Sequence, residues 1–182
     1  MARAFVRAAV LIAAGAVAGC GENPTSPTAS QSPFVGQFAG AFSGATTPVR
    51  VDGGECVGND LRASNATPNE GIVTITQKDA DVSAIMRSQT TGLTCQYSGT
   101  ASFTSFAATA MSCDAEILFR CSNGQARILR PVGSTLTATQ TGLTVRGTVT
   151  TTYNVFFLNP ATHEEEPVGG LTIESGFNAV RQ

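Results

Sequence analysis

The stretch from Leu143 to Phe157 limits what this chain can fold into more than any other, because its side chains alternate with a period of two throughout. Leu143, Val145, Gly147, Val149, Thr151, Tyr153 and Val155 fall on one face; Thr144, Arg146, Thr148, Thr150, Thr152 and Asn154 fall on the other. That pattern predicts a β-strand with one face in a core and the other in water. Shorter runs of the same kind follow one another from Phe34 onward: Val35 to Ser43, Gly71 to Gln77, Val82 to Ser88, Leu93 to Thr100, Phe106 to Ser112, Ile117 to Cys121, Ala126 to Arg130, Ser134 to Gln140 and Leu171 to Asn178. No comparable window carries a helical period. The chain holds 24 Thr and 19 Gly, lacks Trp and is only 13% charged, which excludes coiled coils, acidic tails and basic arms.

Turn chemistry separates these runs. Asn123-Gly124 predicts a type I′ hairpin turn, and Asp79-Ala80-Asp81 predicts a hairpin tip. Gly92 and Gly142 each sit in a Thr-Gly-Leu-Thr sequence that opens a strand. Short turns without intervening helices predict an all-β, antiparallel meander over residues 34–182, closing into a small barrel of about 8 to 10 strands. Closure removes exposed sheet edges. A two-sheet β-sandwich is the alternative.

The first 33 residues have a different character. Arg3 and Arg7, an apolar run from Ala8 to Val17 and the small residues Ala18-Gly19 form the three parts of a signal peptide over residues 1–19, expected to be helical. Its apolar run is short for a membrane span. Gly21 to Pro33 contains three prolines and no large apolar side chain, so residues 20–33 are expected to be a disordered, flexible linker. Without the leader the charge is 9 − 13 = −4, and the remaining basic residues are dispersed, so no nucleic-acid partner is expected.

Val17-Ala18-Gly19-Cys20 resembles the lipobox of bacterial lipoproteins. The resemblance implies that Cys20 becomes the mature N-terminus and carries acyl chains such as palmitate, making the lipid bilayer a partner. Two or three acyl chains hold a protein on a membrane essentially permanently. An Asp after the modified Cys is similar to an inner-membrane retention signal; Gly21 stands there, which implies the outer membrane of the cell envelope. Within the domain, Phe34-Val35-Gly36-Gln37-Phe38-Ala39-Gly40 and Gly176-Phe177-Asn178-Ala179-Val180-Arg181 resemble the opening and closing strands of calycin-type barrels, the lipocalin and avidin shapes, with Phe38 where that family has Trp.

An exported chain meets an oxidising compartment, and Cys56, Cys95, Cys113 and Cys121 then predict two disulfides. A hairpin centred near residues 102 to 104 would place Cys95 across from the neighbourhood of Cys113, leaving Cys56 for Cys121. The rival is Cys56 with Cys95 and Cys113 with Cys121. The cysteine spacings do not fit a zinc site, and no metal or cofactor is expected.

Chemistry-bearing groups are sparse. His163, the only histidine, lies among Glu164, Glu165 and Glu166 between two prolines and reads as a solvated loop. No G-x-S-x-G elbow accompanies it, so no catalytic set converges and the chain is not expected to be an enzyme. Asp52 to Asp60 offers carboxylates in a Gly-rich stretch but lacks EF-hand spacing, and reads as a disulfide-pinned surface loop rather than a calcium site. Asn65-Ala66-Thr67 carries no weight as a glycosylation sequon in a bacterial lipoprotein. A porin-type barrel would need aromatic girdles, and the chain has two Tyr and no Trp.

Two functions of different class remain. In the first, the barrel binds a small apolar or amphipathic ligand lined by Ile75, Met86, Phe106, Val145, Val149 and Tyr153, all of which also suit a plain core. In the second, the domain is a structural or protein-interaction module of the envelope. An internal cavity of some hundreds of cubic ångströms favours the first; a filled interior favours the second.

Overall fold

The computed structural model describes residues 36–180, apart from 54, 64–66 and 115. The signal peptide, Cys20, the linker and the sequon at Asn65 lie outside the described residues. The described residues form β1 (Gly36–Asp52), α1 (Glu55–Ala63), β2 (Thr67–Lys78), β3 (Asp81–Ser88), β4 (Thr94–Ser102), β5 (Ser105–Asp114), β6 (Ile117–Arg120), β7 (Ala126–Thr141), β8 (Thr144–Leu158) and β9 (Glu165–Val180). No helix among them is long and apolar enough to cross a membrane.

All nine strands belong to one antiparallel sheet in the order β5-β4-β3-β2-β1-β9-β8-β7-β6. Ser105 to Thr109 of β5 pair with Thr139 to Thr135 of β7, so every strand except β6 joins a ring that closes on itself. The expected barrel is therefore present, as one continuous sheet rather than the two of a sandwich. Closure is confined to one end. Beyond Thr109 the strands β5 and β7 part, and β6 occupies the gap by pairing Ile117 to Arg120 with Leu129 to Ala126. The hairpin tips after β2, β4 and β7 lie at the closed end, together with the start of β1; α1 and the loops after β3, β5 and β8 lie at the open end.

The expected runs at Ala126 to Arg130 and Ser134 to Gln140 are one strand, β7, interrupted by a bulge between Pro131 and Gly133. A bulge inserts one residue and shifts the alternation by one. Leu129 faces inward before it; Ser134, Leu136 and Ala138 do so after it, and the extra residue, Val132, is exposed. A second bulge, in β5, sets Gln96 against Ser112 but Tyr97 against Ala110, so Met111 has no partner across the ladder. It, too, is exposed.

Three expectations are corrected. Asp52 to Asp60 is not a surface loop: β1 runs to Asp52 and α1 begins at Glu55. Val57 and Leu61, one helical turn apart, are buried, and Gly58 lets the helix settle against Val51, where a Cβ would collide with that side chain. Leu143 does not face the core; it sits in the two-residue β7–β8 turn, 65% exposed. There Gly142, with φ 60° at the first turn position, supplies the backbone of a type II′ turn. Asn123-Gly124 is not a type I′ turn, because only Gly124 has positive φ and its N–H donates to the Cys121 carbonyl, which makes the loop three residues long. The hairpin tip expected at Asp79-Ala80-Asp81 is present between β2 and β3.

The closed half of the interior is filled. Ile75, Val82, Phe106, Leu136, Val145 and Phe177 pack there. The ring of Phe177 lies where a Cβ on Gly147 would sit. Gln77 and Gln140, both buried, stand at the end of this layer and donate through Nε2 to the hairpin-tip carbonyls of Asp79 and Gly142.

Candidate functional site

Two disulfides shape the open end. Cys95 and Cys113 are direct partners across β4 and β5, with Cα atoms 4.1 Å apart. The bulge at Met111 creates this match, because an uninterrupted register would set Cys95 against Ser112 and turn Cys113 outward. The second bridge joins Cys56 of α1 to Cys121 at the end of β6, with Cα atoms 5.8 Å apart. Asp60 reinforces it: its carboxylate accepts from the Ser122 backbone N–H at 2.6 Å and the Ser122 hydroxyl at 2.8 Å. The helix is thus fastened across the open end at two points, a turn apart.

Beneath α1 lies a cavity of about 370 Å³. Val57 and Leu61 form its roof and Leu93, Cys95 and Met86 one side. Ile117, Phe119 and Leu129 form the opposite side, and Tyr97, Val149 and Ser175 are the lining residues nearest the closed half. Of the side chains expected to line a site, Met86, Val149 and Tyr153 do so. Ile75 and Val145 are core of the closed half, and both are fully buried. Phe106 belongs to that core as well, although its backbone edges a second hollow. That hollow, about 840 Å³, lies open against the outer wall, where Ala107, Thr137, Thr139, Arg146, Thr148 and Asn178 point outward.

The cavity wall is polar at one place. Tyr97 Oη lies 2.9 Å from Ser134 Oγ, which lies 2.9 Å from Thr151 Oγ1. Tyr153 stands two residues from Thr151 on the same inward face of β8. Burial pushes the Tyr153 hydroxyl up to about 12, against the lowering effect of the Thr151 hydroxyl, and the neighbouring Tyr97 pushes it further. Tyr97 is raised by burial too, with the Ser134 bond opposing. Ser134 reaches this chain only because the β7 bulge turns it inward. Sequence reasoning missed Tyr97, which follows Cys95 on the inward phase of β4 and is the other of the two tyrosines.

The rim carries the charge. Glu116 edges the cavity, and Arg130 on the outer wall bonds both Glu116 and Glu165, with the latter pair at 2.7 Å. Its guanidinium also lies 4.6 Å from the Phe156 ring centroid. His163 is exposed in the β8–β9 loop, held at φ 61°, and its N–H donates to the Asn159 carbonyl. Among the described residues no group of three or more His, Cys, Asp or Glu side chains is arranged to hold a metal ion. The chain matches no family model, and no curated protein shows significant similarity to it.

Proposed function

We propose that this chain is a non-enzymatic, lipid-anchored protein of the cell envelope whose barrel binds a small apolar or amphipathic molecule. The observation that carries the reading is the 370 Å³ cavity under α1, a size typical of small-molecule sites and lined by apolar side chains with a few converging hydroxyls. A structural or interaction module would have no need to keep a cavity of this size in its barrel. Anchorage through Cys20 rests on the lipobox and its flanking segments, with the outer membrane favoured by Gly21. Within the barrel, β1 begins at the closed end, opposite the end that holds the cavity.

Native mass spectrometry of protein purified from its own host, without added amphiphiles, tests the binding reading. A co-purifying small molecule, lost when Val149→Trp fills the cavity, is the expected result. A bare mass together with a co-purifying protein would overturn it in favour of the interaction module.

A further inference from the structure

The hydroxyls in the cavity wall have more protons than bonds. Tyr97, Ser134 and Thr151 are linked in that order, and Tyr153 stands beside Thr151 on the same face of β8. Each of the four hydroxyls supplies one donor, so even if Thr151 and Tyr153 were joined as well, four protons would serve three contacts. The unused proton sits on a phenol: on Tyr153 when it stands apart or when each group donates toward it, on Tyr97 if a joined chain is reversed. Both tyrosines line the cavity and both are at most 5% exposed. The spare donor therefore reaches the cavity whichever way the chain runs.

The charge of the lining narrows what can use it. Among the described residues no Lys, Arg or His lines the cavity, and the one charged group that does, Glu116, is at the rim in the grip of Arg130. An anionic head group against the tyrosines would be buried without a cation, a cost that a neutral hydrogen bond does not offset. An ammonium group would find hydroxyls but no buried carboxylate. What remains is an uncharged acceptor.

Resting on the reading of the cavity as a binding site, we infer that it takes a neutral amphiphile with a carbonyl or ether oxygen. The molecule enters oxygen first, accepts the spare phenolic proton of Tyr97 or Tyr153, and lays its apolar body along Leu93, Phe119 and Leu129.

The test uses the full chain carrying Cys20→Ser, purified without detergent, and three fluorescent probes. The first is a neutral ketone, 6-propionyl-2-(dimethylamino)naphthalene; the second is the same amine without the acyl group; the third is an anilinonaphthalene sulfonate anion. The ketone is expected to bind best, and replacing both phenols (Tyr97→Phe with Tyr153→Phe) is expected to weaken it roughly tenfold, the scale of one hydrogen bond. Affinity for the acyl-free amine should stay within about twofold, the change expected when no hydrogen bond is lost. Because the double variant removes interior hydroxyls and could fold poorly, the unaltered phenols supply a second measurement. The infrared carbonyl stretch of the bound ketone should be shifted as it is in a hydrogen-bonding solvent. A stretch like that in hydrocarbon, a double variant that holds the ketone as tightly as before, or a sulfonate that binds as well as the ketone would each overturn the inference while leaving a binding cavity. Failure of all three probes to bind would overturn the binding reading itself.

Discussion

Tyr153 and Val149 alternate on one strand, and their phase is legible from sequence because β8 is long and nearly regular where it lines the cavity. Phase alone could not divide Met86, Val149 and Tyr153, which face the cavity, from Ile75 and Val145, which face the packed half. All five point inward; what separates them is height along the barrel axis, and that is set by strand pairing many residues away. Tyr97 was hidden for another reason. Its buried hydrogen-bond partner is Ser134, which is turned inward by a bulge in a different strand. The same buried setting makes a pH prediction. The folded state holds the Tyr153 proton up to about pH 12, whereas the unfolded chain releases it near pH 10. Its stabilising contribution is therefore complete below about pH 10 and is lost as pH rises toward 12, at about 1.4 kcal/mol per unit for one group. Urea unfolding at pH 9 and pH 11.5 should show that fall, and Tyr153→Phe should make it shallower. An unchanged slope in the variant would mean that the phenol is not buried as described.

At the scale of elements, the sequence's period-two runs locate the strands well and their interruptions poorly. A residue such as Val132 or Met111 resembles any other apolar strand residue, yet each is the extra residue of a bulge and stands exposed. The helix α1 was illegible because three glycines and three carboxylates dominate its neighbourhood, while only Val57 and Leu61 mark its buried side. A covalent staple and a salt-free carboxylate clamp hold it where intrinsic propensity would not, since so short a helix is marginal alone. The β5 bulge has a consequence that can be measured. Deleting Met111 alone should remove the bulge and keep Gln96 against Ser112 and Cys95 against Cys113, so both bridges persist. Deleting Met111 together with Ser112 should set Cys113 against Gln96, facing outward; thiol titration of the unfolded chain is then expected to find Cys95 and Cys113 free while Cys56–Cys121 persists, with a stability loss of about 3 kcal/mol from a bridge spanning 18 residues. Free thiols in the single deletion, or both bridges in the double, would show that the strand register is not what aligns them.

For the whole molecule, the asymmetry between the ends is the fact with most bearing on function. One end is closed by β5–β7 pairing and filled by apolar side chains; the other is splayed, roofed by α1 and hollow. Barrel closure is expected from strand count and turn spacing, whereas the choice between a hollow and a filled interior stays open in the sequence, because total apolar content does not say whether it fills a volume. If Cys20 holds the chain on a bilayer, the linker decides which end approaches it. Fifteen residues, sixteen Cα–Cα steps, separate Cys20 from the first residue of β1, Gly36. A random coil of that many steps has a root-mean-square reach of about 22 Å. The closed end should therefore stay near the lipid, with the cavity end farther away by most of a barrel's length. Paramagnetic head groups in a nanodisc carrying the acylated protein would read this directly, since their broadening of amide signals decays steeply with distance. Amides at Asp79, Ala80 and Gly142 should broaden more than those at Ser122, Asn123 and His163, and Cys20→Ser should abolish the gradient. Equal broadening at both ends would remove the orientation, and an undiminished gradient in the Cys20→Ser chain would remove the anchor.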